Sequence, residues 1–192
     1  SSRADVRARY FTPAEEIPLA GHPTIATFHA LVESGRLPFA APTQCYTLEL
    51  EAGVVDVAVH GTAGAVDRVV MSQRPPVFLQ RYRPEDVLPV FGLCGEDLLD
   101  RATIQTVSTG TPQLMVPLTG LEALRRVAMD VAAYRILRAG GDFFSPHLFC
   151  LQGVTEEGDT FARHFGVPPD TPEDPFTGSA TGGMAAYLWR YG

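Results

Sequence analysis

Glu173-Asp174-Pro175-Phe176-Thr177-Gly178-Ser179 decides the fold, because the chain carries a second copy of its pattern at Glu16-Ile17-Pro18-Leu19-Ala20-Gly21-His22. Laying glycine on glycine gives an offset of 157 residues, and the same offset pairs Thr24 with Thr181, Leu31 with Leu188 and Gly35 with Gly192. Upstream, Arg9-Tyr10-Phe11 matches Arg163-His164-Phe165 once three extra residues are allowed in the second loop. Each copy reads as a strand, an irregular E-x-P-x-x-G loop and a helix, which is an internal duplication.

Working outward from the first copy, Pro23 in the first turn, Ile25, Phe28, Leu31 and Val32 at helical spacing, and Gly35 at the end predict a helix over about 22–34. The second copy predicts another over about 179–191. Segments 46–50, 54–59 and 66–71 alternate or run apolar between breaks at Gly53, Gly61 and Gly64, which predicts an antiparallel meander. Segment 73–84 holds three prolines and little periodicity, so it reads as a crossing between two halves, 1–78 and 79–192. Beyond it lie short helical pieces at 86–91 and 95–99 and strands at 104–107, 114–118, 147–154 and 160–165. Segment 121–137 reads as one helix with Arg125, Arg126, Arg135 and Arg138 on a solvated face. The fold class is α+β.

A helix N-terminus leaves backbone N–H groups unpaired and carries about half a positive charge, so a glycine turn that opens a helix makes a seat for a carboxylate. Two such turns would grip one acid, with Gly21, Gly178 and Ser179 as binding residues. His22 on one loop and Asp174 on the other are then the candidates for proton transfer at the carbon next to the carboxylate. Each has a structural alternative: His22 as a cap, Asp174 bonding its own backbone, Ser179 as an N-cap. Glu16 and Glu173 read as structural, closing the loop or complementing the helix dipole.

Composition narrows the partners. With 45% hydrophobic and 19% charged residues, 192 residues suffice for one large or two small cores. A net charge of −7 argues against nucleic acid or an anionic membrane surface, and no apolar run approaches a bilayer span. A small-molecule carboxylic acid is the expected partner, and Ser1-Ser2-Arg3-Ala4-Asp5 lacks a signal-like apolar segment, so a cytoplasmic protein is expected. Cys45, Cys94 and Cys150 have no C-x-x-C spacing. All 15 basic residues are arginine, so no lysine aldimine or P-loop grip exists within these residues. His22, His29, His60, His147 and His164 show no H-x-x-x-H pair, and no metal or cofactor is expected.

The run from Arg9-Tyr10-Phe11-Thr12-Pro13 through Gly21-His22-Pro23-Thr24, with Glu173-Asp174-Pro175-Phe176-Thr177-Gly178-Ser179-Ala180, resembles the phenazine-biosynthesis (PhzF-like) isomerase family. The likeness extends less sharply to Ser108-Thr109-Gly110. It implies a diaminopimelate epimerase-like fold: two similar domains, each a mostly antiparallel sheet wrapped around a central helix, with the site in the cleft between them. It implies cofactor-free proton transfer, with His22, Asp174 and Ser179 on the family's active-site positions and Gly21 and Gly178 supplying backbone N–H groups. A homodimer is expected. The family's acid/base glutamate belongs to a segment preceding Ser1, and Glu15 and Glu16 sit in the wrong motif, so the chain is expected to be truncated at both ends and weakly active or inactive alone.

Competing readings leave traces too. A two-cysteine racemase is disfavoured because no cysteine lies at either glycine turn. Ser179, His22 and Asp174 are triad residue types, but no G-x-S-x-G elbow surrounds Ser179. A non-catalytic relative that holds a small acid or pairs with another subunit is the remaining alternative. Gly178, Gly182 and Gly183 do not make a dinucleotide fingerprint.

Overall fold

Tyr46, Leu48 and Leu50 are buried while Thr47 and Glu49 between them are not, so this segment presents one apolar face of a pleated strand. That face belongs to the first of two units, Ser1–Pro75 and Pro76–Gly192, into which the chain divides. The computed structural model describes residues 3–40, 42–62 and 65–192; Ser1, Ser2 and the glycine break at Gly64 lie outside them.

The first unit runs β1 (Val6–Arg7), β2 (Tyr10–Phe11), β3 (Glu16–Ile17), α1 (Gly21–Glu33), β4 (Thr43–Leu50), β5 (Gly53–Thr62) and β6 (Ala65–Met71). Its sheet has the order β1-β4-β5-β6, with β1 parallel to β4 and the rest an antiparallel meander, while β2 and β3 form a separate ribbon. Helix α1 buries Phe28 completely among Leu48, Val57 and Val59, its ring 5.6 Å from that of Tyr46. Truncating Phe28 to alanine would cost about 3–5 kcal/mol. The helix stops where Gly35 takes a left-handed φ of 71°, its N–H donating to the Val32 carbonyl.

The second unit runs β7 (Val77–Tyr82), α2 (Pro84–Val87), two 3-10 turns (Leu88–Phe91 and Gly95–Asp97), β8 (Ile104–Ser108), β9 (Pro112–Leu118), α3 (Leu121–Arg126), α4 (Val131–Ala139), β10 (Ser145–Cys150), β11 (Phe161–Phe165), β12 (Glu173–Asp174) and α5 (Gly178–Tyr191). The strands form one sheet of order β12-β11-β10-β9-β8-β7, antiparallel except for β9 beside β10. Alternation sorts the two faces. Leu114, Val116, Leu118, Leu148 and Cys150 join the core under α3, α4 and the 3-10 turns; Val107, Met115 and Phe149 pack against Met184 and Tyr187 of α5. This sheet therefore carries helices on both faces, and its larger core lies on the face opposite α5, where the family resemblance implied a sheet wrapped around one central helix.

Two further expectations change. Segment 73–84 is not all crossing: β7 lies within it, an edge strand that pairs with β8 alone. Its register slips between Phe78 and Arg81, and Val77 and Leu79 stay exposed, so no alternation survives to be read. The helix expected over 121–137 is two. Asp130 accepts from the backbone N–H groups of Ala132 and Ala133 and starts a new helix, while the N–H groups of Ala128 and Asp130 donate to Phe91 and Val90. The arginines of this layer are held: Arg125 by Glu122, Arg126 by Asp97, Arg135 by the Pro168 carbonyl, and Arg138 over the Phe144 ring.

Candidate active site

The two glycine turns are built by the same parts. In the first unit Tyr10 pairs with Ile17 and Phe11 with Glu16 across the β2–β3 ribbon. Arg9 forks onto the Glu16 carboxylate at 2.8 and 2.7 Å and lies 5.0 Å from the Phe11 ring centre. In the second unit His164 pairs with Asp174 and Phe165 with Glu173. There Arg163 forks onto Glu173 at 2.8 Å through both nitrogens and lies 4.7 Å from the Phe165 ring centre. Each glutamate closes its own loop, and the arginine hydrogen bonds hold both carboxyls below their usual range. The helices open alike as well: the Thr24 hydroxyl donates to the Ala20 carbonyl at 2.7 Å, and that of Thr181 to the Thr177 carbonyl at 3.1 Å.

Neither helix has a side-chain cap or an acidic residue in its first turn. Ala20 has no group to offer as N-cap of α1. Thr177 does, but its hydroxyl donates instead to Asp174 Oδ2. Asp174 Oδ1 accepts from the Phe176 N–H at 3.2 Å, so both oxygens of the carboxylate are oriented by their own loop. Phe176 is 66% exposed, and its ring edge lies 3.8 Å from where a Cβ on Gly178 would stand. Gly21 and the exposed His22 open α1 in the first unit, whereas Asp174, Gly178 and the buried Ser179 sit together in the second. The Ser179 carbonyl accepts from the Thr109 hydroxyl at 3.4 Å, which ties α5 to the turn after β8.

Beneath the second turn lies a polar group that sequence reading passed over. Gln113, Ser145, His147 and His164 are all buried on the α5 face of the sheet. Ser145 Oγ donates to Gln113 Oε1 at 2.7 Å and meets His164 Nε2 at 2.8 Å; the two imidazoles face each other, Nδ1 to Nδ1, at 3.3 Å. Burial pushes both down from an ordinary 6.5: His147 to about 3, helped by His164, and His164 to about 4, against an upward pull from the Asp174 charge. The one available signal was the histidine at 164 where the first copy has Tyr10. Among the described residues no group of three His, Cys, Asp or Glu side chains could hold a metal ion, and no helix is long and apolar enough to cross a membrane.

A phenazine biosynthesis-like protein family matches the chain over residues 1–192. The chain belongs to that family. An uncharacterized isomerase of Bacillus subtilis is 34% identical to it over all of the chain and 65% of its own length. The trans-2,3-dihydro-3-hydroxyanthranilate isomerase of Pseudomonas aeruginosa is 30% identical over 97% of the chain and 61% of its own length. A solved phenazine biosynthesis protein of the PhzF family from Bacillus anthracis superimposes with a TM-score of 0.80 at 33% identity, covering 98% of this chain and 62% of that one. The phenazine biosynthesis-like chain thus spans less than two thirds of the length of these relatives, and its α+β architecture is of the PhzF, diaminopimelate epimerase-like type.

Proposed function

We propose that the protein is a cofactor-independent isomerase or epimerase that moves a proton near the carboxylate of a small amino or cyclic unsaturated acid. The observation that carries this reading is the pair of matched turns, each opening a helix without a side-chain cap, in a chain of the phenazine biosynthesis-like family. Each turn offers a carboxylate a seat where the helix dipole favours negative charge, through the backbone N–H at Gly21 in the first unit and through that at Gly178 with the Ser179 hydroxyl in the second. His22 and Asp174 handle the proton. A base takes it from the carbon beside the carboxylate, the electron pair spreads into the adjoining unsaturated or carboxylate system, and a proton returns to another carbon or the other face. The acid/base glutamate of the family resemblance has no counterpart at Glu15 or Glu16, so the activity is proposed for the full-length protein.

One observation favours a second reading, a non-catalytic small-acid binder: both oxygens of Asp174 already have partners in their own loop. Incubating the full-length protein in D₂O with a panel of amino acids and cyclic unsaturated acids separates the two. Deuterium at a carbon position supports the isomerase, and binding without exchange across the panel supports the binder. Sizing the same protein decides the homodimer.

A further inference from the structure

The buried chain beneath the second turn has a direction. Ser145 spends its only hydroxyl proton on Gln113 Oε1, so toward His164 it can only accept, and His164 must carry its proton on Nε2. His164 Nδ1 is then a lone pair, so the facing nitrogen of His147 must be the N–H. Donors run one way, from His147 through His164 and Ser145 to Gln113, and each ring is fixed as one neutral tautomer. The tail of the chain, His147 Nε2, is buried without a hydrogen-bond partner in a side chain only 3% exposed.

Across the β11–β12 ladder, His164 stands directly opposite Asp174, a spacing that brings Cβ atoms to about 5 Å on one face. The other copy is an internal control. It builds the same fork, register and helix start around Tyr10 opposite Ile17, so holding such a turn needs neither an imidazole nor an acid at these positions. The histidine stands where the acid stands. We propose that His164 is a positioning residue for Asp174, a ring locked neutral by the donor chain through His147, Ser145 and Gln113, so that the carboxylate faces a fixed uncharged neighbour and not a cation. This rests on the proton-transfer reading of Asp174.

The groups facing His164 are His147 from β10 and Asp174 from β12; α5, over the same face, has no acid in its first turn, and its Arg190 lies in the last. Protonating His164 would set two N–H groups against each other at His147. It would also place a positive charge opposite the group that has to receive a proton.

The test uses the full-length protein labelled with ¹⁵N. Long-range proton–nitrogen spectra from about pH 5 to 8 should show His147 as the Nδ1–H tautomer and His164 as the Nε2–H tautomer, both neutral. An imidazolium at either ring near pH 6, or the opposite tautomers, overturns the proposal. In the D₂O assay, His164→Arg should lower the maximal exchange rate at least ~30-fold while KM changes less than ~3-fold, and His164→Gln, neutral and able to keep both neighbours, should recover most of the loss. Equal rates in the two variants, with an active parent, defeat the positioning role alone. No exchange by the parent defeats the functional reading and this one together. If His164→Arg fails to fold, the spectra still decide.

Discussion

The ribbon leading to Gly21 and the strand pair leading to Gly178 present the same arginine, glutamate and phenylalanine in the same register, yet Tyr10 faces Ile17 in one and His164 faces Asp174 in the other. The shared part is scaffold: a fork, a cation over a ring, and a threonine bonding back to the N-cap carbonyl. The part that differs holds the residues to which the proposed chemistry is assigned. A duplicated turn can keep its shape while exchanging side chains at five matched places, 10 with 164, 17 with 174, 19 with 176, 20 with 177 and 22 with 179. The burial differs as well, since Ser179 and His164 are enclosed whereas His22 is exposed.

The largest effect expected is on the chemistry. Asp174→Asn in the full-length protein should lower deuterium exchange by about 10²- to 10⁴-fold while a bound carboxylate ligand stays within about threefold in affinity, measured by NMR and titration calorimetry. Unchanged exchange would make the acid of the second turn as structural as Ile17 of the first.

The second effect is on stability against pH. In the folded chain both imidazoles titrate well below 6.5, so between about 4 and 6.5 the unfolded chain takes up protons that the folded one refuses. Stability from this source is complete above about pH 6.5 and falls as pH drops toward 4, by about 3 kcal/mol or more. Urea unfolding across that range measures it, and His147→Gln combined with His164→Gln should flatten the slope.

A smaller difference separates the forks. Arg163 also donates to the Leu124 and Val127 carbonyls, at 2.8 and 3.3 Å, and is mostly covered, whereas Arg9 is 60% exposed and bonds Glu16. Arg163→Ala should cost about 2–3 kcal/mol of unfolding free energy, and Arg9→Ala distinctly less. The smallest contrast lies at the threonines. Thr24 is fully buried and also meets the Tyr10 hydroxyl at 2.8 Å, so Thr24→Val should cost about 1 kcal/mol and the exposed Thr181→Val less than half of that. Equal costs at the two threonines would mean that burial does not set the difference.

The duplication was legible because its signals are local: a glycine, a proline three places before it and a helical stripe after it can be read within one window. The meander was legible for the same reason, through its alternation between glycine breaks. Strand β7 was not, since an edge strand with a slipped register has no face to alternate. The break before Asp130 left a readable mark, an N-cap residue ahead of Val131-Ala132-Ala133, but the apolar stripe running through it hides the interruption. The Arg–Glu forks show in the aligned copies as matching residues, though nothing local says that they touch. The imidazole chain was least accessible, because Gln113, Ser145, His147 and His164 meet only after β9, β10 and β11 have paired. Glycines and acids of the candidate site were nameable from the motif, while what surrounds Asp174 required the sheet.

Arg163 reaches through its carbonyl contacts to the end of α3, so the second turn is fastened to the helical layer on the far face of its sheet. Its amides should therefore exchange with solvent only when that layer also opens, as one cooperative unit with a single protection factor. Among the described residues Arg9 makes no such reach, and the β2–β3 ribbon, tied to α1 through the Tyr10 and Thr24 hydroxyls, should open many times for each opening of its counterpart. One copy then breathes while the other stays shut, a division of labour in time rather than in charge.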